Sequence, residues 1–438
     1  MTRTLSLLTL ALAVLTSAPA HAEGIDGGNT AWVMVASALV LFMMIPGLAL
    51  FYGGLVRTKN VLSVLMHCTA LTAIGSVLWL VCGYSLAFDT TGMAAGEVNL
   101  NSFIGTLNKA FLRGLTVDSA SGSIPEAAFF VYQLTFAVIT PGLIVGAFAE
   151  RMKFLAMLLF SSLWMLLVYA PVAHMVWGGA GGFFFDRGVF DFAGGIVVHL
   201  TAGVAALVAC ITVGPRAGYG RTAMLPHNLT MCFTGTGMLW VGWFGFNGGS
   251  ALAADGNAAM AILATQISGA TAATAWMAIE WIKRKPSVLG IATGAVAGLA
   301  AVTPASGFIG PFGGFAIGLA AGIVCYFAAT SLKQKFGYDD SLDVFGVHGV
   351  GGLLGTLLAA VFAAPAFGGK GLPDPATYSI GAQFVTQLTA CIAVALYTGV
   401  ASWVLLKLVG GAVGLRVDAE SETRGLDLSL HEESGYNS

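Results

Sequence analysis

Asp191-Phe-Ala-Gly-Gly-Ile-Val-Val-His199 and Asp340-Ser-Leu-Asp-Val-Phe-Gly-Val-His348 repeat one spacing, an Asp eight residues before a His, each at the start of an apolar run. Eight residues is just over two helical turns, about 12 Å along the axis. Each Asp is therefore expected at a helix entrance and each His near the middle of a membrane span. Five spans separate the copies, so the two helices enter from opposite sides. That arrangement is the mark of an inverted repeat whose path lies near the midplane.

The rest of the chain has to supply the membrane. Of 438 residues, 57% are hydrophobic and 9% are charged, with a net charge of -2 and a mean hydropathy of +0.85. A soluble domain carries about 25% charged residues. Soluble enzymes, disordered chains and nucleic-acid binders are excluded; nothing here neutralises phosphate. Gly occurs 59 times, which suits helices that must approach closely in lipid. The six cysteines all lie in apolar stretches and imply neither disulfides nor a zinc motif.

Arg3, the apolar run Leu5 to Leu15 and Ala20-His21-Ala22 read as a signal peptide over residues 1–22, with a mature start near Glu23. Apolar runs that can span follow at about 30–55, 61–88, 127–149, 154–175, 192–213, 227–249, 258–281, 288–304, 308–332, 344–364 and 379–406. The expectation is an all-α polytopic membrane protein of eleven helices, two inverted five-helix halves plus a long C-terminal helix. Residues 23–408 form the membrane domain and 409–438 a cytoplasmic tail. Of the 18 Lys and Arg after the signal peptide, 14 fall on one side: Arg57, Lys59, Arg151, Lys153, Arg216, Arg221, Lys283, Arg284, Lys285, Lys333, Lys335, Lys407, Arg416 and Arg424. Lys109, Arg113, Arg187 and Lys370 fall on the other. The positive-inside rule makes the first side cytoplasmic and the N-terminus external.

An ionisable residue in lipid is costly and by default functional. For His67 and His174 the greater weight goes to a satisfied core role, and for the matched pair His199 and His348 to function. Two neutral imidazoles in series suit a small neutral hydrogen-bonding molecule or a proton relay. No Thr-Val-Gly-Tyr-Gly filter supports an alkali-ion channel, and no spacing supplies a third metal ligand. Tyr132 and Phe136 share one helix face, and Trp243 and Phe246 precede Ser250. Rings around a hydroxyl make a cation-π site with one acceptor, which fits ammonium or a methylated amine. Asp191 reads both as a helix cap and as negative potential for an arriving cation. Asp339, Asp340 and Asp343 read as caps and solvated charge.

Asp191-Phe-Ala-Gly-Gly-Ile-Val-Val-His199, Gly242-Trp-Phe-Gly-Phe-Asn-Gly-Gly-Ser250, Asp343-Val-Phe-Gly-Val-His348-Gly, Phe51-Tyr-Gly-Gly-Leu-Val-Arg57 and the tail Gly414-Leu-Arg-Val417 with Gly425-Leu-Asp427 resemble the bacterial ammonium transporter (Amt, methylammonium permease, Rhesus) family from about residue 26 onward. The resemblance implies a homotrimer with a pore in each protomer and no cofactor. It implies external ammonium binding by Phe136, Trp177 and Ser250, a gate of Phe136 over Phe246, and twin pore histidines His199 and His348. Asp191 would act behind the site in proton relay or electrostatics, with Tyr132 as an aromatic wall and both Tyr132 and Trp243 counted with the pore and gate. The inner loops and tail resemble those that receive a PII-type signalling protein (GlnK), with Glu432 at a position that is often Gly in relatives. The function so implied is ammonium transport across the inner membrane, by deprotonation and conduction of ammonia. The rivals are an ammonium sensor working through its tail, an intramembrane metalloenzyme, and conduction of another gas such as carbon dioxide.

Overall fold

A computed structural model describes residues 24–436; the expected signal peptide lies outside them. A helix stands under each of the eleven expected spans. These are α1 (Gly27–Leu55), α2 (Thr58–Phe88), α3 (Glu126–Phe148), α4 (Phe154–Trp177), α5 (Gly195–Val213), α6 (Leu229–Gly248), α7 (Gly256–Lys283), α8 (Val288–Val302), α9 (Pro311–Phe336), α10 (Phe345–Phe362) and α11 (Ile380–Val413). Among the described residues nine are long and apolar enough to cross a membrane; α6 and α8 are the exceptions, α8 having only 15 residues. Two short tail helices follow, α12 (Ala419–Arg424) and α13 (Leu426–His431). The strands Ala120–Ser121 and Ile124–Pro125 form one small ribbon.

Local chemistry sets the helix ends. The side chains of Asp26, Asn228, Asp255, Ser287 and Ser379 accept from first-turn amides of α1, α6, α7, α8 and α11. Pro311 opens α9, where its missing N–H is not needed. Pro46 breaks α1 at Ile45, whose φ of -130° and ψ of 111° are not helical. α11 runs to Val413, past the expected boundary at 408.

Of the nine, α3 is the most enclosed helix and α11 the least. The two histidine helices cross beside their histidines because glycines remove the side chains in the way. A Cβ on Gly203 would fall on the Gly349 backbone, and one on Gly352 would meet the Gly195 carbonyl and the His199 Cβ. Each glycine lies four residues after its histidine, so the repeat of spacing is also a repeat of packing.

The tail is not a free solvated segment. Lys153 N donates to Leu415 O at 2.9 Å and Val417 N to Arg151 O at 3.1 Å. Asn60, at the α2 N-terminus, accepts from Leu426 N at its Oδ1, 2.9 Å away. Asp427 caps α2 in its place, accepting from Leu62 N (3.0 Å) and Ser63 N (2.7 Å). Beside it, Glu150 pairs with Arg57 at 2.7 Å and Arg216 at 3.4 Å, and Arg216 pairs with Asp339 at 2.8 Å. The expectation of solvated charge fails for Asp339 and Asp340, both buried. Burial pushes the Glu150 and Asp339 carboxyls up, but hydrogen bonds and charge from these arginines hold both below their ordinary values.

Candidate functional site

α3 delivers Tyr132, Gln133 and Phe136 to the end of the bundle opposite the tail; α4 ends there on Trp177, and α6 carries Phe246 in its last turn with Ser250 in the turn that follows. Gln133, Phe136, Trp177 and Ser250 line a cavity of about 180 Å³. The Phe136 and Trp177 rings stand at 87° with centroids 5.9 Å apart, which turns faces and edges toward the cavity. The Ser250 hydroxyl donates to Phe246 O at 2.9 Å, leaving its oxygen lone pairs to accept. Tyr132 is fully buried, with its hydroxyl 2.9 Å from Gly245 O and 3.1 Å from Ser250 Oγ. It packs against Phe136 at 5.0 Å. It supports the wall from behind.

The floor of this cavity is the Phe136–Phe246 pair, centroids 4.3 Å apart and tilted by 35°. Rings at that separation are in van der Waals contact. Beneath them lies a space of only about 10 Å³ bounded by Phe246, Trp243, His199, His348, Ile139 and Leu143. Beyond His348 it gives way to a vestibule of about 300 Å³ at the tail end, edged by Arg216, Glu280, Lys333 and Asp343.

His199 and His348 meet, Nδ1 to Nδ1, at 3.3 Å. One ring must therefore donate from Nδ1 and the other accept, which fixes opposite tautomers. His199 lies between the partner imidazole at 5.2 Å and the Trp243 ring at 5.6 Å, near parallel to both. Its Nε2 is buried without a protein partner. Trp243 is itself locked by its indole N–H on Thr303 Oγ1 at 2.9 Å.

Asp191 caps α5 with both carboxylate oxygens. Oδ1 accepts from Gly194 N (2.9 Å) and Gly195 N (2.5 Å), and Oδ2 from Ile196 N and Val197 N (2.9 Å each). Gly194 turns the chain into the helix at φ 111°, a conformation that favours glycine. The Asp191 backbone carbonyl accepts the Trp177 indole N–H at 2.7 Å, so the cap also anchors a cavity wall. In the second copy Asp340 Oδ2 accepts from Phe345 N at 2.7 Å. Among the described residues no three His, Cys, Asp or Glu side chains converge as a metal site would require.

The family model described as the Ammonium Transporter Family matches residues 31–436. The chain belongs to this family. An ammonium transporter of Bacillus subtilis is 46% identical over 412 residues, covering 93% of this chain and 98% of that protein. One from Aquifex aeolicus is 44% identical over 99% of this chain and all of that protein. Among solved structures, Saccharomyces cerevisiae Mep2 matches with a TM-score of 0.81 at 35% identity, covering 91% of this chain and 89% of that one. A structure named Sensor Amt Protein matches with a TM-score of 0.83 at 28% identity, over 92% and 98%. The curated relatives are named as transporters, not enzymes.

Against the family expectation, the structure brings Phe136, Trp177 and Ser250 to one cavity, stacks Phe136 on Phe246 and joins the two histidines. His174 is a core tie, its ring nitrogens 2.9 Å from Ala87 O and 2.7 Å from Asn101 O. His67 departs from the satisfied core role: it is buried, stacked on Phe154 at 5.8 Å, and neither ring nitrogen has a partner. The sequence reading passed over Gln133 in the cavity wall. An amide inside an apolar span, one residue from Tyr132, was the signal available.

Proposed function

We propose that the protein transports ammonium across the cytoplasmic membrane through its own helix bundle. The single observation that carries this reading is the axial order of cavity, closed ring pair, histidine pair and vestibule. The Lys and Arg distribution supports a cavity that opens outside and a tail in the cytoplasm.

Phe136, Trp177 and Ser250 recruit the ion. Aromatic faces hold a desolvated cation by about 2 kcal/mol, and Ser250 accepts one N–H. Dehydrating the ion fully in an apolar pore has a penalty of several kcal/mol or more, and a space of about 10 Å³ has no room for a hydration shell. One N–H bond of ammonium therefore breaks above the pore, the electron pair stays on nitrogen, and ammonia continues past Phe136, Phe246 and Trp243. The proton passes to water in the outer cavity and crosses the ring pair only when the two rings part. His199 accepts it at Nε2 and passes its Nδ1 proton to His348 Nδ1, and His348 releases its Nε2 proton to the vestibule. Asp191 already accepts four amide hydrogens, so its role is a fixed negative potential behind Trp177.

Residues 23–408 serve as the transmembrane domain and 409–438 as a regulatory tail, in a homotrimer whose cytoplasmic face receives a PII-type protein such as GlnK. Transient currents in proteoliposomes after ammonium and potassium jumps test the reading. Current with ammonium alone supports it; equal currents with both ions would refute it. The sensor reading has one motive, the likeness to a Sensor Amt Protein, and no feature of the cavity favours it over transport.

A further inference from the structure

The wall of the cavity above the stacked rings carries a side-chain amide that this mechanism leaves unused. Gln133 lines the cavity with Phe136, Trp177 and Ser250 and is 8% exposed. Its Oε1 is buried and accepts no hydrogen bond from the protein. The other buried glutamine shows what a structural amide looks like. Gln387 accepts from Phe190 N and donates to Phe190 O, both at 2.7 Å. A buried carbonyl with no donor calls for an explanation, and one beside an aromatic cation site has a natural one.

We propose that Gln133 is a further ammonium ligand, its amide oxygen accepting one N–H while Ser250 Oγ accepts another. The inference rests on the reading of this cavity as the ammonium site. Ammonium presents four N–H donors at tetrahedral angles. Two neutral oxygens and the faces of Phe136 and Trp177 meet that demand without a carboxylate that would trap the ion. A potassium ion wants a shell of oxygens, which two acceptors do not supply. Because neither end of the Gln133 amide is tied to the protein, it can turn its oxygen to the ion at little cost.

The test compares Gln133→Met, which keeps length and removes the acceptor, with Gln133→Glu, which keeps the acceptor and adds charge. The readout is the ammonium concentration giving half-maximal current in proteoliposomes, with Ser250→Ala alongside. Gln133→Met should raise it about tenfold, as loss of a hydrogen bond to a charged group predicts. Gln133→Glu should hold it at or below the wild-type value at neutral pH and lose that advantage as the solution is acidified. A merely structural amide would make Glu at least as damaging as Met, at every pH. If Ser250→Ala shifts the half-maximal concentration and both Gln133 variants match wild type, the ligand role is overturned and the site stands. If Ser250→Ala is also silent, the site itself is wrong. Should Gln133→Met fail to fold, Gln133→Glu against wild type decides the question by the same criterion.

Discussion

Replacing Asp191 probes the cap, the cavity wall and the field at once. Asp191→Asn preserves shape but keeps one acceptor oxygen, so two of the four amide hydrogens now held at 2.5–2.9 Å face an NH₂ group. Losing two hydrogen bonds to a charged acceptor removes about 3–6 kcal/mol. Asp191→Ala strips all four and should remove roughly twice that. Both also lose the negative charge at the α5 N-terminus, where it is stabilised by the positive end of the helix dipole. Since the Asp191 carbonyl anchors Trp177, disorder in this turn should also weaken ammonium binding. Thermal unfolding of the detergent-solubilised protein, followed by tryptophan fluorescence, should order the variants as wild type, Asp191→Glu, Asp191→Asn, Asp191→Ala. The half-maximal ammonium concentration should rise in the same order. An Asp191→Asn protein that unfolds with wild type would refute the reasoning, because a neutral amide cannot satisfy four donors.

Phe246→Ala removes half of the stacked floor; it should destabilise by about 3–5 kcal/mol and admit water, seen as a current after a potassium jump that the wild type lacks. Asp427→Ala uncaps α2 from a distance at a cost of about 1–2 kcal/mol, so limited proteolysis should cut the tail faster while the helical core survives. Acid stability follows from Glu150 and Asp339. Their folded pKa values are depressed below the ordinary Glu and Asp values of 4.5 and 3.8, so their stabilisation is complete above about pH 4.5 and is lost as pH falls through the lowered folded values. Unfolding temperature should be insensitive to these groups above pH 5 and fall below pH 4.5, and Glu150→Gln should flatten that fall.

The topology was legible because lipid imposes long apolar runs, and the histidine pair because an inverted repeat leaves the same Asp-to-His spacing twice. The glycines at positions 203 and 352, four residues after each histidine, carry the same symmetry and could have been read with it. Other features were hidden for physical reasons. The wide turns at Met43–Leu48, Trp79–Gly83, Met165–Tyr169 and Ala328–Leu332 change backbone hydrogen bonding without changing hydropathy. Asp427 caps a helix whose Ser63 lies 364 residues away, and no local pattern reports such a partner. Asp339 looked solvated because Arg216, its neighbour in space, is 123 residues earlier. His67 is buried with both nitrogens unpaired, and no local pattern in the sequence reports that either.

The joined histidines are the centre of the account, and the direct measurement is ammonium flux through the His199→Leu, His348→Leu double variant. Proteoliposomes matched for folded protein should show no ammonium-selective current, since the line of polar atoms between the ring pair and the vestibule is gone. Ammonium flux unchanged from wild type, with selectivity over potassium intact, would contradict the pore assignment.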